Sequence, residues 1–262
     1  MGTLHLQNAV KLPYFEFGDQ PWFPPVLREA ETAYLATAYR LWPALTQQWA
    51  EKISTVLPRQ EPTELLDLCS GSGGPLPLVV DELRKRNYEV RAKLTDLYPN
   101  PKTGSPPRIT WLAEPVNAMQ VPPELTGVRT MFSAFHPFRP EAAQAILRDA
   151  FEHRRAICIF ESGSGTRRGV VSMLGVPLAV LALMPFARPF RWTYLLFTYL
   201  LPLTPFVVLW DGLVSMLRIY SPEQMQKLTA DLQAPDYAWE IGHIHVRGLP
   251  DGLPYLLGRP VR

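Results

Sequence analysis

The sequence has little cysteine and little net charge. Its 262 residues include two cysteines, Cys69 and Cys158, which lie far apart inside apolar runs. This usage excludes a disulfide framework and a zinc cluster, and we predict no bound metal. The 26 basic and 24 acidic residues give a net charge of +2, which excludes a dedicated nucleic-acid surface. Charged residues make up 19% of the chain against 47% hydrophobic ones, a balance typical of a protein with a large core.

A secretory signal is also lacking, because no long apolar stretch follows a basic cluster near residue 1. We therefore expect a cytoplasmic protein, either free in solution or peripheral on the cytoplasmic face of the membrane. One segment supports the second alternative because it is nearly free of charge. Between Val170 and Leu217 the sequence has three charged residues, Arg188, Arg191 and Asp211.

Short apolar runs alternate with helical patterns through the middle of the chain. The runs at 64–69, 90–95, 109–113, 130–134 and 156–160 predict strands, and the patterns at 76–86 and 140–153 predict helices. Strands that alternate with helices indicate βαβ units and a parallel sheet. After a further helix at 222–232, two alternating runs at 237–246 and 253–259 predict a hairpin on the sheet edge.

The chain before this sheet is aromatic and helical. Residues 11–28 are rich in aromatics and proline, and apolar residues recur at helical spacing over 27–53, with Pro43 as a break. We predict an N-terminal aromatic segment and helical cap over 1–58. An α/β domain follows over 59–262, with an apolar helical insertion at about 166–212.

The most informative segment is Leu65–Gly74, where an apolar strand leads into a glycine cluster and then a helix. Glycines let the backbone turn tightly and let a nucleotide approach the chain. The next strand ends in Asp96, and an acid at that point can accept both ribose hydroxyls. A full G-x-G-x-x-G is absent, and Pro75 stands in the first helical turn, where a pyrophosphate needs amide donors. A nucleotide cofactor without phosphates does not need an amide donor at that position.

In these residues the sequence resembles the class I S-adenosylmethionine-dependent methyltransferases. Asp67, Gly71 and Gly73 match the first motif of that family, with Cys69 in place of its first glycine. The resemblance covers roughly residues 60–165 and 212–262. It implies a Rossmann-like, seven-stranded, mostly parallel sheet flanked by helices, and S-adenosylmethionine as the cofactor. The cofactor-binding residues that it implies are Asp67, Cys69, Ser70, Gly71, Gly73, Asp96, Leu97, Asn117, Ala118 and Ser133.

His136 and Glu161 are the candidate catalytic residues. His136 ends the fourth strand, which in the family lies next to the reacting methyl group, and an imidazole suits a general base near neutral pH. Glu161 ends the fifth strand and could bind the acceptor or the base. Each has a structural alternative, as a residue that only holds its loop. Asp211, further along, is interpreted as the acid at the N-terminus of a helix.

The apolar insertion contains two uncharged runs, Val170–Ala187 and Trp192–Trp210. Both reach the ~18 residues of a membrane-spanning candidate. The alternatives are a spanning hairpin, shallow insertion into one leaflet, and a soluble lid. A full hairpin places Arg188 and Arg191 on the far side, against the positive-inside tendency, so the sequence favours shallow insertion through residues 170–210.

Together these features predict methyl transfer from S-adenosylmethionine to a small lipophilic or membrane-dissolved acceptor, with no nucleic-acid partner. One alternative is a methyltransferase-like protein that binds a ligand or a membrane without catalysis. The other is an NAD(P)-dependent reductase, since both cofactors use a glycine turn and a ribose-binding acid.

Overall fold

The computed structural model describes residues 15–58, 61–99, 107–249 and 251–261. These residues form two compact units. The first unit joins the described residues up to Pro43 with Gly163–Ile219, and the second joins Ala44–Ser162 with the described residues from Tyr220 on. Residues 1–14, part of the predicted aromatic segment, lie outside the described residues. The predicted boundary at residue 58 stays a prediction.

The helices follow the predicted patterns. They are α1 (Pro25–Leu41), α2 (Pro43–Ser54), α3 (Leu76–Lys85), α4 (Pro140–Glu152), α5 (Arg167–Ser172), α6 (Val176–Leu183), α7 (Trp192–Leu195), α8 (Leu203–Arg218) and α9 (Pro222–Thr229). The break between α1 and α2 falls at Pro43, as predicted, because proline has no amide hydrogen for an interior helical bond. Ser221 caps α9 and accepts a hydrogen bond from the amide of Gln224.

The second unit is built on one sheet. Its strands are β1 (Thr63–Asp67), β2 (Val90–Leu94), β3 (Ile109–Trp111), β4 (Val128–Phe132), β5 (Ile157–Phe160), β6 (Tyr237–Ile244) and β7 (Leu253–Pro260). The order across the sheet is β3-β2-β1-β4-β5-β7-β6. Strands β1 to β5 pair in parallel, while β7 runs antiparallel to both β5 and β6. The predicted seven-stranded, mostly parallel sheet with a terminal hairpin is confirmed.

Helices cover both faces of this sheet, so its central strands are mostly buried. On one face the indole of Trp49, from α2, lies 5.3 Å from the ring of Phe132 and 5.9 Å from that of Phe160. On the other face, buried side chains of α4 and α9 such as Ile146 and Met225 belong to a single apolar cluster with the sheet. This rigid core fixes the loops at the strand ends.

The five parallel strands all end on the same edge of the sheet. The register aligns Asp67 of β1 with Leu94 of β2 and with Thr130 of β4. It also aligns the last residue of β4 with Phe160, the last of β5. The loops that carry the predicted site residues therefore leave the sheet side by side, as the carboxyl ends of parallel strands do in open α/β folds.

The first unit contains the predicted apolar insertion, which follows β5 as expected. A 3₁₀ turn at Met173–Gly175 joins α5 to α6, and a second at Met184–Phe186 continues α6, so a continuous helix runs from Arg167 to Phe186. This helix is long and apolar enough to cross a membrane, and only 17% of its most apolar window is buried. The pair Trp192–Leu200 and Leu203–Arg218 passes the same test but bends by 81° between its halves.

The structure corrects the interpretation of Asp211. This residue lies in the middle of α8, not at a helix N-terminus. Its carboxylate accepts the amide hydrogens of Phe17 at 2.7 Å and Gly18 at 2.8 Å. It therefore holds the segment before α1 onto α8, a pairing across 194 positions that no local pattern reveals.

Asp211 shares this place with a second acid, Glu31 of α1. Burial, followed by the charges of Asp211 and Glu16, raises the pKa of Glu31 to about 8. Burial also raises the pKa of Asp211, to about 6, against the two amide hydrogen bonds, which lower it. The two carboxyl groups interact, so near neutral pH they share a proton.

Candidate functional site

The loop after β1 adopts backbone angles that favour glycine. Gly71, Gly73 and Gly74 have φ values of +51°, +96° and +45°. A Cβ added at Gly71 or Gly74 would meet no heavy atom within 4 Å. The loop therefore presents bare backbone to open space, which is the property a glycine turn needs to admit a ligand.

Two residues on this edge adopt the left-handed conformation without being glycine. Cys69 has φ +55° and Ser133, just after β4, has φ +51°. Such conformations cost about 1–3 kcal/mol each and occur most often at binding sites. Burial raises the pKa of the Cys69 thiol to about 12, so Cys69 is a neutral packing residue and not a nucleophile.

Asp96 fixes the glycine loop from the neighbouring strand. Its Oδ2 accepts the amide hydrogen of Gly71 at 2.9 Å, and its Oδ1 accepts that of Tyr98 at 2.9 Å. Each carboxylate oxygen has two lone pairs, so one acceptor position on each remains for a ligand hydroxyl. Asp96 is half-buried and Gly71 is exposed, which leaves this pair within reach of a bound molecule.

Asp67 lies beneath the loop. It is 3% exposed and accepts the Thr130 hydroxyl at 2.6 Å. Its main-chain oxygen accepts the Ser70 hydroxyl at 2.9 Å. Burial raises the pKa of Asp67 to about 7, against the hydrogen bonds from Thr130 and Ser70. Asp67 and Ser70 therefore lie beneath the glycine loop, where their hydrogen bonds stabilise its conformation.

Three more of the predicted cofactor-binding residues, Leu97, Asn117 and Ala118, follow the second and third strands. Leu97 is exposed beside Asp96, and Ala118 is buried after the third strand. The Asn117 side chain accepts the amide hydrogen of Met119 at 3.0 Å and so closes a turn. A role for Asn117 at an adenine ring stays a prediction.

His136 and Glu161 meet at the same edge. Glu161 Oε2 lies 2.8 Å from His136 Nδ1, and Glu161 Oε1 accepts the amide hydrogen of His136 at 2.9 Å. A carboxylate on Nδ1 favours the tautomer with the proton on Nδ1, which places the lone pair of the ring on Nε2. Both side chains are nearly buried, with exposed fractions of 6% for His136 and 1% for Glu161. Glu161 thus holds the His136 ring and main-chain amide together, and a catalytic role for either residue stays a prediction.

Comparison with known proteins tests the fold. No protein-family model and no curated protein matches the chain. The plantazolicin methyltransferase BpumL, in complex with SAH, matches with a TM-score of 0.51 and 10% identity, over 90% of this chain and 98% of that chain. This chain has the class I methyltransferase fold.

Other similar structures match over about half of their own length. The mitomycin 7-O-methyltransferase MmcR has a TM-score of 0.44 at 12% identity, over 83% of this chain and 54% of that chain. LepI in complex with SAM has a TM-score of 0.47 at 13% identity, over 81% of this chain and 46% of that chain.

Two further residues at this edge of the sheet, Trp111 and Ser162, were not among the predicted site residues. The Trp111 ring at the end of β3 lies 3.2 Å from where a Cβ of Gly73 would stand. The Ser162 amide and hydroxyl both bond to the Ser133 hydroxyl, at 3.2 Å and 2.8 Å. Trp111 could have been found as an aromatic residue at a strand end beside the glycine turn. Ser162 gave no signal, because serine after a strand is common in loops.

Proposed function

We propose that the second unit binds S-adenosylmethionine at this edge and transfers its methyl group to a small lipophilic acceptor. The observation that carries the proposal is the glycine loop held by Asp96. Two left-handed glycines, Gly71 and Gly74, present open backbone there, and the carboxylate that bonds to Gly71 keeps acceptor positions for hydroxyls. The comparison with BpumL, whose structure contains SAH, supports the same cofactor.

The residues on this edge fit an adenosine group without phosphates. Asp96 would accept the two ribose hydroxyls, and the loop at Gly71–Gly74 would lie along the amino-acid part. Trp111 and Leu97 offer apolar surface for a flat ring. Pro75 immediately precedes α3, and its missing amide hydrogen disfavours the pyrophosphate of a dinucleotide, so a reductase is the weaker alternative.

When bound, S-adenosylmethionine supplies an electrophilic methyl group, which needs an aligned nucleophile and little else from the protein. An acceptor hydroxyl or amine must also lose a proton. His136 is the candidate general base, with Nε2 as the proton acceptor. Glu161 holds the ring through Nδ1 and the main-chain amide, and its charge would stabilise the imidazolium that forms.

The proposed class of methyl acceptor is based on the exposed apolar surface of the first unit. Several large apolar side chains of residues 170–210 are exposed, among them Leu174, Leu178 and Trp192. Such a surface suits a protein that meets its acceptor in or at a lipid phase. We propose a peripheral position on the cytoplasmic face of the membrane.

A second candidate function is cofactor binding without methyl transfer. The observation that favours it is the near-complete burial of both His136 and Glu161, which also fits a pair that only fastens the loop after β4 to β5.

Two measurements on the same protein separate these functions. Calorimetry with S-adenosylhomocysteine and with NADPH identifies the cofactor, and we expect binding of the former only. Lipid extracts are then incubated with the protein and isotopically labelled methyl donor and analysed by mass spectrometry. A labelled lipophilic product supports methyl transfer. Tight binding of S-adenosylhomocysteine with no labelled product supports the binding protein, and binding of NADPH alone would overturn both.

A further inference from the structure

The first unit presents a broad apolar face. Helix Arg167–Phe186 exposes 68% of Leu174 and 71% of Leu178, and the segment after it exposes 77% of Trp192 and 74% of Leu200. We call these four residues and Phe186 the apolar face. Large apolar side chains exposed in such number along one segment indicate a contact with another apolar phase.

Unpaired positive charge lies at both ends of the same helix. Arg167 and Arg168 begin it, and Arg188 follows its last turn. All three are exposed, and within the described residues none of their side chains makes an ion pair or a hydrogen bond. The one acid of Gly163–Ile219 is Asp211, which is buried and bonded to amides. The apolar face is therefore bordered by cationic groups that no acid among the described residues neutralises.

A surface cavity of about 770 Å³ lies at the Arg188 end of this face. Two basic residues, Arg40 of α1 and Arg188, line it together with the apolar residues Leu41, Phe186 and Phe190. Arg40 also donates to the main-chain oxygen of Phe186, which holds its side chain at the rim. Guanidinium groups over apolar walls match a phosphate diester attached to hydrocarbon chains.

We propose that the first unit docks on the surface of an anionic phospholipid bilayer, with the phosphate of one head group between Arg40 and Arg188. The apolar face would then enter the head-group and upper acyl region, where amphipathic surfaces insert by about 5–10 Å. This inference deepens the proposed function by naming the surface on which a lipophilic acceptor is met, and the docking itself needs no methyl donor.

The packing of the helix argues against a full membrane span. Val180 and Met184 of the 167–186 helix are buried against Ala30, Ala33 and Tyr34 of α1. Helix α1 carries charged residues along its length, and charged side chains are costly inside a bilayer. A spanning position would either remove these contacts or carry α1 into the lipid. Docking by one face keeps them.

The charges also argue against a second copy of this chain as the occupant. In a two-fold dimer the same patch faces itself. The arginines that border the apolar face would then oppose arginines, and like charges across an interface weaken it. An anionic bilayer gains from the same arrangement, because each arginine near its surface contributes about 1 kcal/mol.

The test is vesicle flotation of the full chain without methyl donor. Vesicles of phosphatidylcholine are compared with vesicles that also contain phosphatidylglycerol. We expect binding to the anionic vesicles that weakens with added salt, and much weaker binding to the neutral ones. Arg188→Gln should lower the binding constant about fivefold, the ratio that corresponds to about 1 kcal/mol. The double variant Leu174→Glu with Leu178→Glu should abolish flotation.

The matched control is Arg148→Gln, which removes the same charge from an exposed position of α4 in the second unit and should leave flotation unchanged. Calorimetry with S-adenosylhomocysteine on every variant checks the cofactor site separately, so a failure of docking is distinguishable from a failure of the proposed function. Equal binding to neutral and anionic vesicles, equal effects of both arginine variants, or no binding with a stable dimer in sedimentation would each overturn the proposal.

Discussion

Asp96→Asn tests the cofactor site at its most specific group. Each Asp96 oxygen accepts one loop amide hydrogen at 2.9 Å and keeps one lone pair for a ribose hydroxyl. Asparagine retains one of the two oxygens and loses the negative charge. One of the two expected ligand hydrogen bonds is therefore lost, and the other becomes a bond between neutral groups.

The magnitude follows from these two bonds. A hydrogen bond to a charged group contributes about 1.5–3 kcal/mol, against about 0.5–1.5 kcal/mol for a bond between neutral groups. Since the two losses occur together and the loop relaxes in part, we expect a total of about 2–3 kcal/mol. The affinity for S-adenosylhomocysteine should fall roughly 30- to 150-fold at about 1.4 kcal/mol per factor of ten.

The assay is titration calorimetry with S-adenosylhomocysteine. Asp81→Asn, the same change at an exposed position of α3, is the matched control and should bind like the wild type. A second variant, Gly71→Val, places a side chain in the open space at a φ of +51° and should also prevent binding. Thermal unfolding of each variant shows whether the fold is intact. Wild-type affinity in folded Asp96→Asn and Gly71→Val proteins would refute the cofactor assignment.

Three further predictions concern buried charged or titratable groups. His136→Ala should lower methyl-transfer turnover by about 10²- to 10⁴-fold in single-turnover assays while S-adenosylhomocysteine affinity changes little; a loss of only a few-fold would place the base elsewhere. Asp149→Ala should lower the free energy of unfolding in urea by about 3–5 kcal/mol, because it leaves the buried guanidinium of Arg129, 2.6 Å away, without its counter-charge; an unchanged midpoint would contradict this. Burial raises the pKa of Glu31 from 4.5 to about 8, so the folded protein holds a proton that the unfolded chain releases, and stability should fall as pH rises from about 4.5 to about 8. Glu31→Gln should weaken that decline in thermal unfolding, most clearly between about pH 6 and pH 8, where Asp211 no longer contributes, and parallel pH curves for the two proteins would contradict the reasoning.

The sheet and its glycine loop could be predicted because their signals are local. An apolar run, a glycine cluster and an amphipathic helix follow one another between Leu65 and Arg86. Each can be recognised from neighbouring residues alone. The alternation of strands and helices then determines that the strands are parallel and that their carboxyl ends share an edge. Asp96 and His136 were placed on that edge without knowledge of any contact.

The rest of the site depends on contacts between distant positions. The sequence gives no distance between His136 and Glu161, so their pairing appeared only when β4 and β5 were aligned. The contact of Trp111 with Gly73 depends in the same way on the register of β2 and β3. The interpretation of Asp211 as a helix N-terminal acid is wrong because α8 begins eight residues earlier, at Leu203. Its true partners, near Phe17, belong to the other end of the chain.

The make-up of the first unit has a consequence for synthesis on the ribosome. Helix α1 ends at Leu41, but its apolar partners in the same unit extend to Val208 of α8. At about 5–20 residues per second, roughly 8 to 33 seconds pass between the two. During that interval the apolar stripe of α1, with Ala33 and Tyr34, lacks its final partners. The nascent chain therefore exposes this apolar stripe until both the 167–186 helix and α8 have emerged.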